Sequence, residues 1–259
     1  MAGVRSSTLA DGAVLRVLLD EPRGNVLSMA MMGAIGEILS AHCGAEALKL
    51  VVLRGAGGSF SFGASVPEHR RETAPAMLAR FHELVRLVAS YPIPVAALVE
   101  GRCLGGAFEL VLASHLVFAT SSAVFACPEI KLGVVPPVFS VLGAPRLGGP
   151  LAEQMILTGM EIGAERARVA GLALEIVPDG EDPEAWLLSW FARNLAPLSA
   201  FSLREATHAA RHGSGLLERL GAPLEAVERR YVERLLPSHD GNEGIEAFIA
   251  RRPPRWIHA

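Results

Sequence analysis

Short runs of Val, Leu and Ile alternate along the chain with longer stretches in which apolar residues recur at intervals of three and four. Residues 14–19, 48–53, 95–99, 115–119 and 172–176 have strand composition, and residues 29–42 and 76–90 carry the period of an amphipathic helix. Such alternation predicts an α/β fold whose strands are covered on both faces. After about Pro197 the strand pattern stops, and residues 198–212, 215–236 and 242–251 read as helices separated by Gly, Pro and Ser. The chain therefore divides into an α/β core, residues 1–197, and a helical region, residues 198–259. Its closing RRPPRWIHA is not helical throughout, because Pro253 and Pro254 remove backbone donors and fix φ. Phe248 and Trp256 beside arginines fit docking onto another surface, and equally an ordered tail on the chain's own domain.

The 51% hydrophobic content of the 259 residues excludes a disordered chain and allows a sizeable core. With 24 basic and 27 acidic side chains the net charge is −3, so there is no global basic field to hold nucleic acid or an anionic membrane. The local clusters at 69–71, 228–230 and 251–255 read as solvated faces. Cys43, Cys103 and Cys127 are odd in number and widely spaced, which fits neither a disulfide framework nor a zinc site. No apolar run approaches the length of about twenty residues that a membrane span needs, and the N-terminus lacks a secretory h-region. The expectation is a soluble, cytoplasmic protein.

Two glutamates stand in apolar, Gly-rich surroundings: Glu109 in GRCLGGAFELVLAS and Glu129 in FACPEIKLGVV. A buried carboxylate without a partner takes up protons near neutral pH, and two of them make an acid and a base. Glu109 could instead complement the dipole of its own helix, and Glu129 could lie in an exposed loop or pair with Lys131. Gly105 and Gly106 open the helix-like run that holds Glu109, where first-turn N–H groups are free to hold an oxyanion. The SFGAS turn at 61–65 offers a second N–H, at Ala64. Each glycine turn taken alone is most simply a tight turn. No GxGxxG follows the first strand, and no His, Cys and carboxylate cluster has metal-ligand spacing.

Six ordered blocks make the chain resemble the crotonase, or enoyl-CoA hydratase/isomerase, superfamily: EPRGNVLSMAMM, GSFSFGAS, PIPVAALVEGRCLGGAFEL, FACPEIKLGVVP, LTGMEIGAERARVAGLALEIVP and EAFIARRPP. The resemblance implies a spiral of ββα turns with a C-terminal helical region that forms trimers or pairs of trimers. It also implies an acyl-CoA thioester substrate and no cofactor beyond the CoA that the substrate carries. The family's acid–base glutamates fall on Glu109 and Glu129, and its oxyanion donors on Ala64 and Gly106. Arg23, Gly24, Val26, Phe62 and Ala64 would lie along the CoA, and Phe248 and Arg251 match positions that in relatives reach the CoA of a neighbouring subunit.

The chain departs from the family at Phe62, where a small residue is usual, at Ser65, where many relatives have Asp, and after Glu129. There VVPPVFSVLGAPRLGG replaces a shorter glycine-rich loop, which implies a bulky apolar acyl pocket that includes Val66, Pro137, Phe139 and Val141. FSFGASVPEH and PEIKLGVVPPVFSVLGAPRL look most like the cyclic dienoyl-CoA hydratases of anaerobic benzoyl-CoA breakdown, which convert cyclohexa-1,5-diene-1-carbonyl-CoA to 6-hydroxycyclohex-1-ene-1-carbonyl-CoA. A straight-chain enoyl-CoA hydratase or isomerase is the alternative within enzymes. A non-catalytic acyl-CoA- or RNA-binding relative is the alternative of another class.

Overall fold

The computed structural model describes residues 3–259. Strands β1 (Val4–Leu9) and β2 (Val14–Leu19) form an antiparallel hairpin, and β3 (Leu50–Gly55), β4 (Val95–Val99), β6 (Leu116–Thr120) and β9 (Glu175–Val177) extend it in parallel, in the order β1-β2-β3-β4-β6-β9. A small second sheet joins β5 (Arg102–Leu104), β7 (Val124–Ala126) and β8 (Glu161–Gly163). Successive side chains of a strand point to opposite faces, and here both faces are buried. Val95, Ala97 and Val99 of β4 enter one apolar cluster with α1 (Met29–His42) and α2 (Ala74–Ala89), while Ala96 and Leu98 enter another with α7 (Pro183–Asn194). That arrangement explains why these strands read as continuous apolar runs.

The remaining helices are α3 (Gly106–Ala113), α4 (Pro137–Leu147), α5 (Gly149–Thr158), α6 (Ala164–Val169), α8 (Ala200–Gly213), α9 (Leu216–Arg219), α10 (Ala222–Arg230) and α11 (His239–Ile249). The segment after Glu129, expected as a loop, is helix α4. Pro137 at its first position needs no N–H there and is preset to helical φ. The helix expected over 215–236 is broken: Gly221 leaves the helical conformation (φ −90°, ψ −125°) between α9 and α10, and this segment ends in a π-helical turn, Tyr231–Leu235.

The C-terminal helices pack on the spiral itself, since Leu216, Leu220, Leu224, Tyr231 and Ile245 join the same cluster as α1 and α2. The tail is an ordered segment on its own domain. Asp240 accepts from the N–H groups of Ile257 and His258, and Glu243 from that of Arg255, while the Trp256 ring lies over Gly133 and Gly244. Among the described residues no helix is long and apolar enough to cross a membrane.

The strands decide where the site lies. β3 and β4 are parallel, so both chains leave the sheet at the same end, where open parallel sheets place their ligand crevices.

Candidate active site

Beyond β3 the chain runs through residues 56–60 into the 61–65 turn, which is held on both sides. Ser61 bridges to Cys103 of β5, its N–H donating to Arg102 O and its carbonyl accepting from Leu104 N–H. Ala64 bridges to Leu27, whose carbonyl accepts from Ser65 N–H and whose N–H donates to Gly63 O. These bonds use the neighbours of Ala64 and leave its own N–H without a protein acceptor. Gly63 (φ +97°) lets the turn press against β5: a Cβ there would meet Leu104 O at 2.6 Å. Buried Asn25, a residue no motif singled out, ties the loop down by donating to Ala56 O and Ser59 O at 2.9 and 3.0 Å.

Across from this turn, β5 leads through Gly105 (φ +52°, ψ −130°) into α3. Gly106 is the first helical residue, so its N–H has no intrahelical partner. A Cβ on Gly106 would lie 3.3 Å from Ala64 Cβ and 3.5 Å from Ala64 N, so the two residues with unused N–H groups are close neighbours. The same first turn of α3 brings in Glu109, only 3% exposed. Its Oε1 accepts from Phe139 N–H at 2.8 Å, so the carboxylate also sits on the N-terminal end of α4. Pro136 and Pro137 have no N–H, and Val138 and Phe139 are therefore the donors that face it.

Glu129 lies on a 3-10 turn, Pro128–Leu132, that follows β7. It forms no ion pair with Lys131; its Oε2 is inaccessible and has no partner, and its Oε1 lies 2.7 Å from where a Cβ on Gly105 would stand. Only glycine at 105 leaves room for this carboxylate. Burial raises the Glu109 carboxyl to about 7, against the pull of the Phe139 and Val138 N–H groups. Burial, with the charge of Glu109 next, holds the Glu129 carboxyl well above the usual carboxylate range. Among the described residues no cation pairs with either group, so at neutral pH the pair retains a proton, and one acid and one base face the same space.

Both glutamates, Ala64 and Gly106 line one cavity of about 260 Å³, together with Phe62, Val66, Pro137 and Phe248. Arg23, Gly24 and Phe62 line an adjoining one of about 530 Å³. Gly24 is required there, since a Cβ would come within 2.3 Å of the Phe62 ring. Val26 and Arg251 line neither cavity. Phe139 and Val141 do not form the acyl wall expected of them: as α4 is a helix, their side chains turn into the core, Phe139 against Phe108 with ring centroids 5.6 Å apart. Of that pair only the Phe139 backbone faces the site.

Phe248, 56% exposed, lines the cavity of its own chain. Helix α11 is held over the site by the Arg70–Glu246 ion pair at 2.8 Å and by Gly244, whose Cβ would meet Leu132 O at 2.1 Å.

Three further cavity residues escaped sequence reasoning. Tyr231 stands on the π-helical turn with a buried, unpartnered hydroxyl, and burial and the two glutamates push its pKa up. His69 donates from Nδ1 to Ser65 O at 2.9 Å, and burial lowers its pKa, leaving a neutral ring with Nε2 as acceptor. Phe81 of α2 supplies an apolar wall. Tyr231 and Phe81 sit in no motif, although a π turn is itself a common mark of a functional site; His69 closes FSFGASVPEH and opens the 69–71 cluster, which reads as a solvated face.

Residues 10–259 match the family described as Enoyl-CoA hydratase/isomerase. The chain belongs to that family. It is 42% identical over 247 residues, 95% of this chain and 93% of the relative, to the cyclohexa-1,5-dienecarbonyl-CoA hydratase of Thauera aromatica. It is 31% identical to the carnitinyl-CoA dehydratase of Proteus mirabilis, over 95% of each chain. Among solved structures, an enoyl-CoA hydratase from Mycobacterium avium subsp. paratuberculosis superposes with a TM-score of 0.86 at 28% identity, covering 99% of both chains. The crotonase fold and family expected from the sequence are thus borne out.

Proposed function

We propose that this protein adds water to a conjugated dienoyl-CoA thioester, cyclohexa-1,5-diene-1-carbonyl-CoA, giving 6-hydroxycyclohex-1-ene-1-carbonyl-CoA. The observation that carries the reading is the pair of uncompensated carboxylates, Glu109 and Glu129, facing one cavity beside two unused N–H groups. The similarity to the Thauera aromatica hydratase supports the cyclic substrate. In this reading the thioester oxygen accepts from Ala64 and Gly106 N–H, and Phe62, Arg23 and Gly24 border the path of the CoA.

Glu109 takes a proton from water as the oxygen bonds to the ring carbon β to the carbonyl. The electrons of that double bond pass into a dienolate, whose charge the two N–H groups stabilise, commonly by a few kcal/mol per donor. The protonated Glu129 delivers its proton to the carbon para to the new hydroxyl. One double bond conjugated with the thioester remains, and the atoms of one water have been added. The proton given up by water stays on Glu109 until the pair re-equilibrates, so the two carboxyls can exchange roles between turnovers. No further cofactor is needed, since CoA enters as part of the substrate. An isomerase needs a single base, and two carboxylates favour hydration.

Incubation with the cyclic dienoyl-CoA and with crotonyl-CoA, followed by loss of absorbance of each conjugated thioester, tests class and substrate together. A kcat/KM at least about tenfold higher for the cyclic ester is expected, as shape-dependent discrimination in an apolar pocket commonly gives. Activity on crotonyl-CoA alone would retire the cyclic substrate, and no activity on either would retire the hydratase reading.

The reading includes a homotrimer or a dimer of trimers, with residues 198–259 as the trimerising part. Phe201, 73% exposed at the start of α8, and half-exposed Leu198 support it as apolar surface that a partner would cover. Sedimentation equilibrium should return the mass of three or six chains; the mass of one chain would overturn this assembly.

A further inference from the structure

Away from the glutamates, a second cavity of about 440 Å³ is walled by α7, α8 and the residues that follow α3. Its lining is mainly apolar, with Trp190, Leu195 and Leu203, yet Arg146, Arg211 and His115 also line it. Arg211 is only 7% exposed. Its Nη2 donates to Ala113 O at 2.6 Å, and Arg146 Nη2 donates to Ser114 O at 3.2 Å. The Nε of each arginine has no acceptor, and neither Nη1 bonds to a protein group.

His115 Nδ1 accepts from Val95 N–H at 3.1 Å, so its Nε2 carries the ring proton, and that N–H is also without a partner. Among the described residues no carboxylate pairs with either arginine. The carbonyl end of α3 offers about half a negative charge, against two full positive ones.

We propose that this cavity is a second ligand site, for a small monocarboxylate with an apolar body. Arg146 and Arg211 hold the carboxylate, and Trp190, Leu195 and Leu203 hold the body. Guanidiniums match a carboxylate with paired N–H donors. A few convergent polar groups in an otherwise apolar cavity are the usual form of a small-molecule site. A phosphate ester would place three strongly hydrated oxygens in a lining that has donors at one end only.

The electrostatics agree. Burial, with the charge of Arg146 adding to it, pulls Arg211 down to about 10, and burial with both arginines pushes His115 down to about 3. The pocket resists its own positive charge, and an anion would relieve it.

The test is calorimetric titration of the assembled protein with benzoate and with benzamide, its uncharged isostere, in excess butyryl-CoA to fill the catalytic cavity. One benzoate per chain is expected, with benzamide bound at least about tenfold more weakly, the scale of one lost charge-assisted hydrogen bond. Arg211→Met is expected to weaken benzoate by a similar factor. Equal affinity for the two compounds, no benzoate binding to the unaltered protein, or undiminished binding to Arg211→Met would each overturn the site. Should Arg211→Met not fold, Leu203→Trp fills the apolar end instead: lost benzoate binding supports the site, and retained binding overturns it. Dissociation of the assembly in Arg211→Met would show that the arginines receive a carboxylate from a second copy of the chain, which also overturns it.

Discussion

Glu129→Gln and Glu109→Gln should each lower kcat by about 10²- to 10⁴-fold, the contribution of a general acid or base, with affinity for a CoA ester nearly unchanged. Glutamine keeps the volume of the side chain, and at 109 it keeps an oxygen to accept from Phe139 N–H. What it removes is the exchangeable proton. Steady-state kinetics beside a binding titration separate the two effects, and unaltered turnover in either variant would sink the role given to that residue.

The Glu109 variant should also differ in stability. Its carboxyl rises from the ordinary 4.5 to about 7 on folding, so the folded chain holds the proton more tightly than the unfolded one. Its contribution is fully present below about pH 4.5 and is lost as the pH rises through 7. At pH 8 the folded protein keeps an ionised carboxylate in a buried site, and Glu109→Gln relieves that cost. Each tenfold in proton affinity corresponds to about 1.4 kcal/mol, and 1 kcal/mol moves Tm by about 2–4 °C in a chain of this size. Tm at pH 8 should therefore rise by several degrees in the variant and match the unaltered protein at pH 4. A lower Tm at pH 8 would contradict the burial argument.

Gly105→Ala should lower kcat by about a hundredfold or more although it touches no acid–base group itself. The added methyl would stand 2.7 Å from Glu129 Oε1, and the backbone at φ +52°, ψ −130° is one that residues with a Cβ rarely adopt. The carboxylate must move, and a displacement of about 1 Å at a reacting group is enough for a loss of that size. Backbone strain of about 1–3 kcal/mol should lower Tm by a few degrees as well. Gly33→Ala in α1, where a Cβ meets open space, is the control and should keep full turnover. Full turnover in Gly105→Ala would mean that Glu129 tolerates the shift and is not held in a working position.

The glutamates and glycines were legible because their types are costly where they stand. A carboxylate in an apolar helix and a glycine at a strand end need a reason that composition alone exposes, and each has one here: a shared cavity for Glu109 and Glu129, and room for Glu129 at Gly105. The parallel strands were legible for a related reason. Burial on both faces leaves no polar alternation, so β3 opens as LVVL and β4 reads VAALV, and in β2 (VLRVLL) only Arg16 interrupts the apolar run. Strands β5, β7 and β8, at three residues each, are too short to show any period. Strand β1, VRSSTL, is a mostly exposed edge strand with little apolar content to mark it.

What the sequence by itself determined is the α/β class, the family, the two carboxylates and the two N–H positions, since these rest on residue types and spacing along one chain. The tertiary structure decided which groups meet. Phe139 enters the site by its backbone and not its ring, because α4 begins at Pro137 and turns the side chain inward. Phe248 lines its own chain's cavity because α11 folds back where Gly244 permits contact with Leu132. Tyr231 and the unpaired Arg146 and Arg211 owe their character to burial. Burial depends on what packs around a side chain from distant parts of the chain, and no local pattern records it.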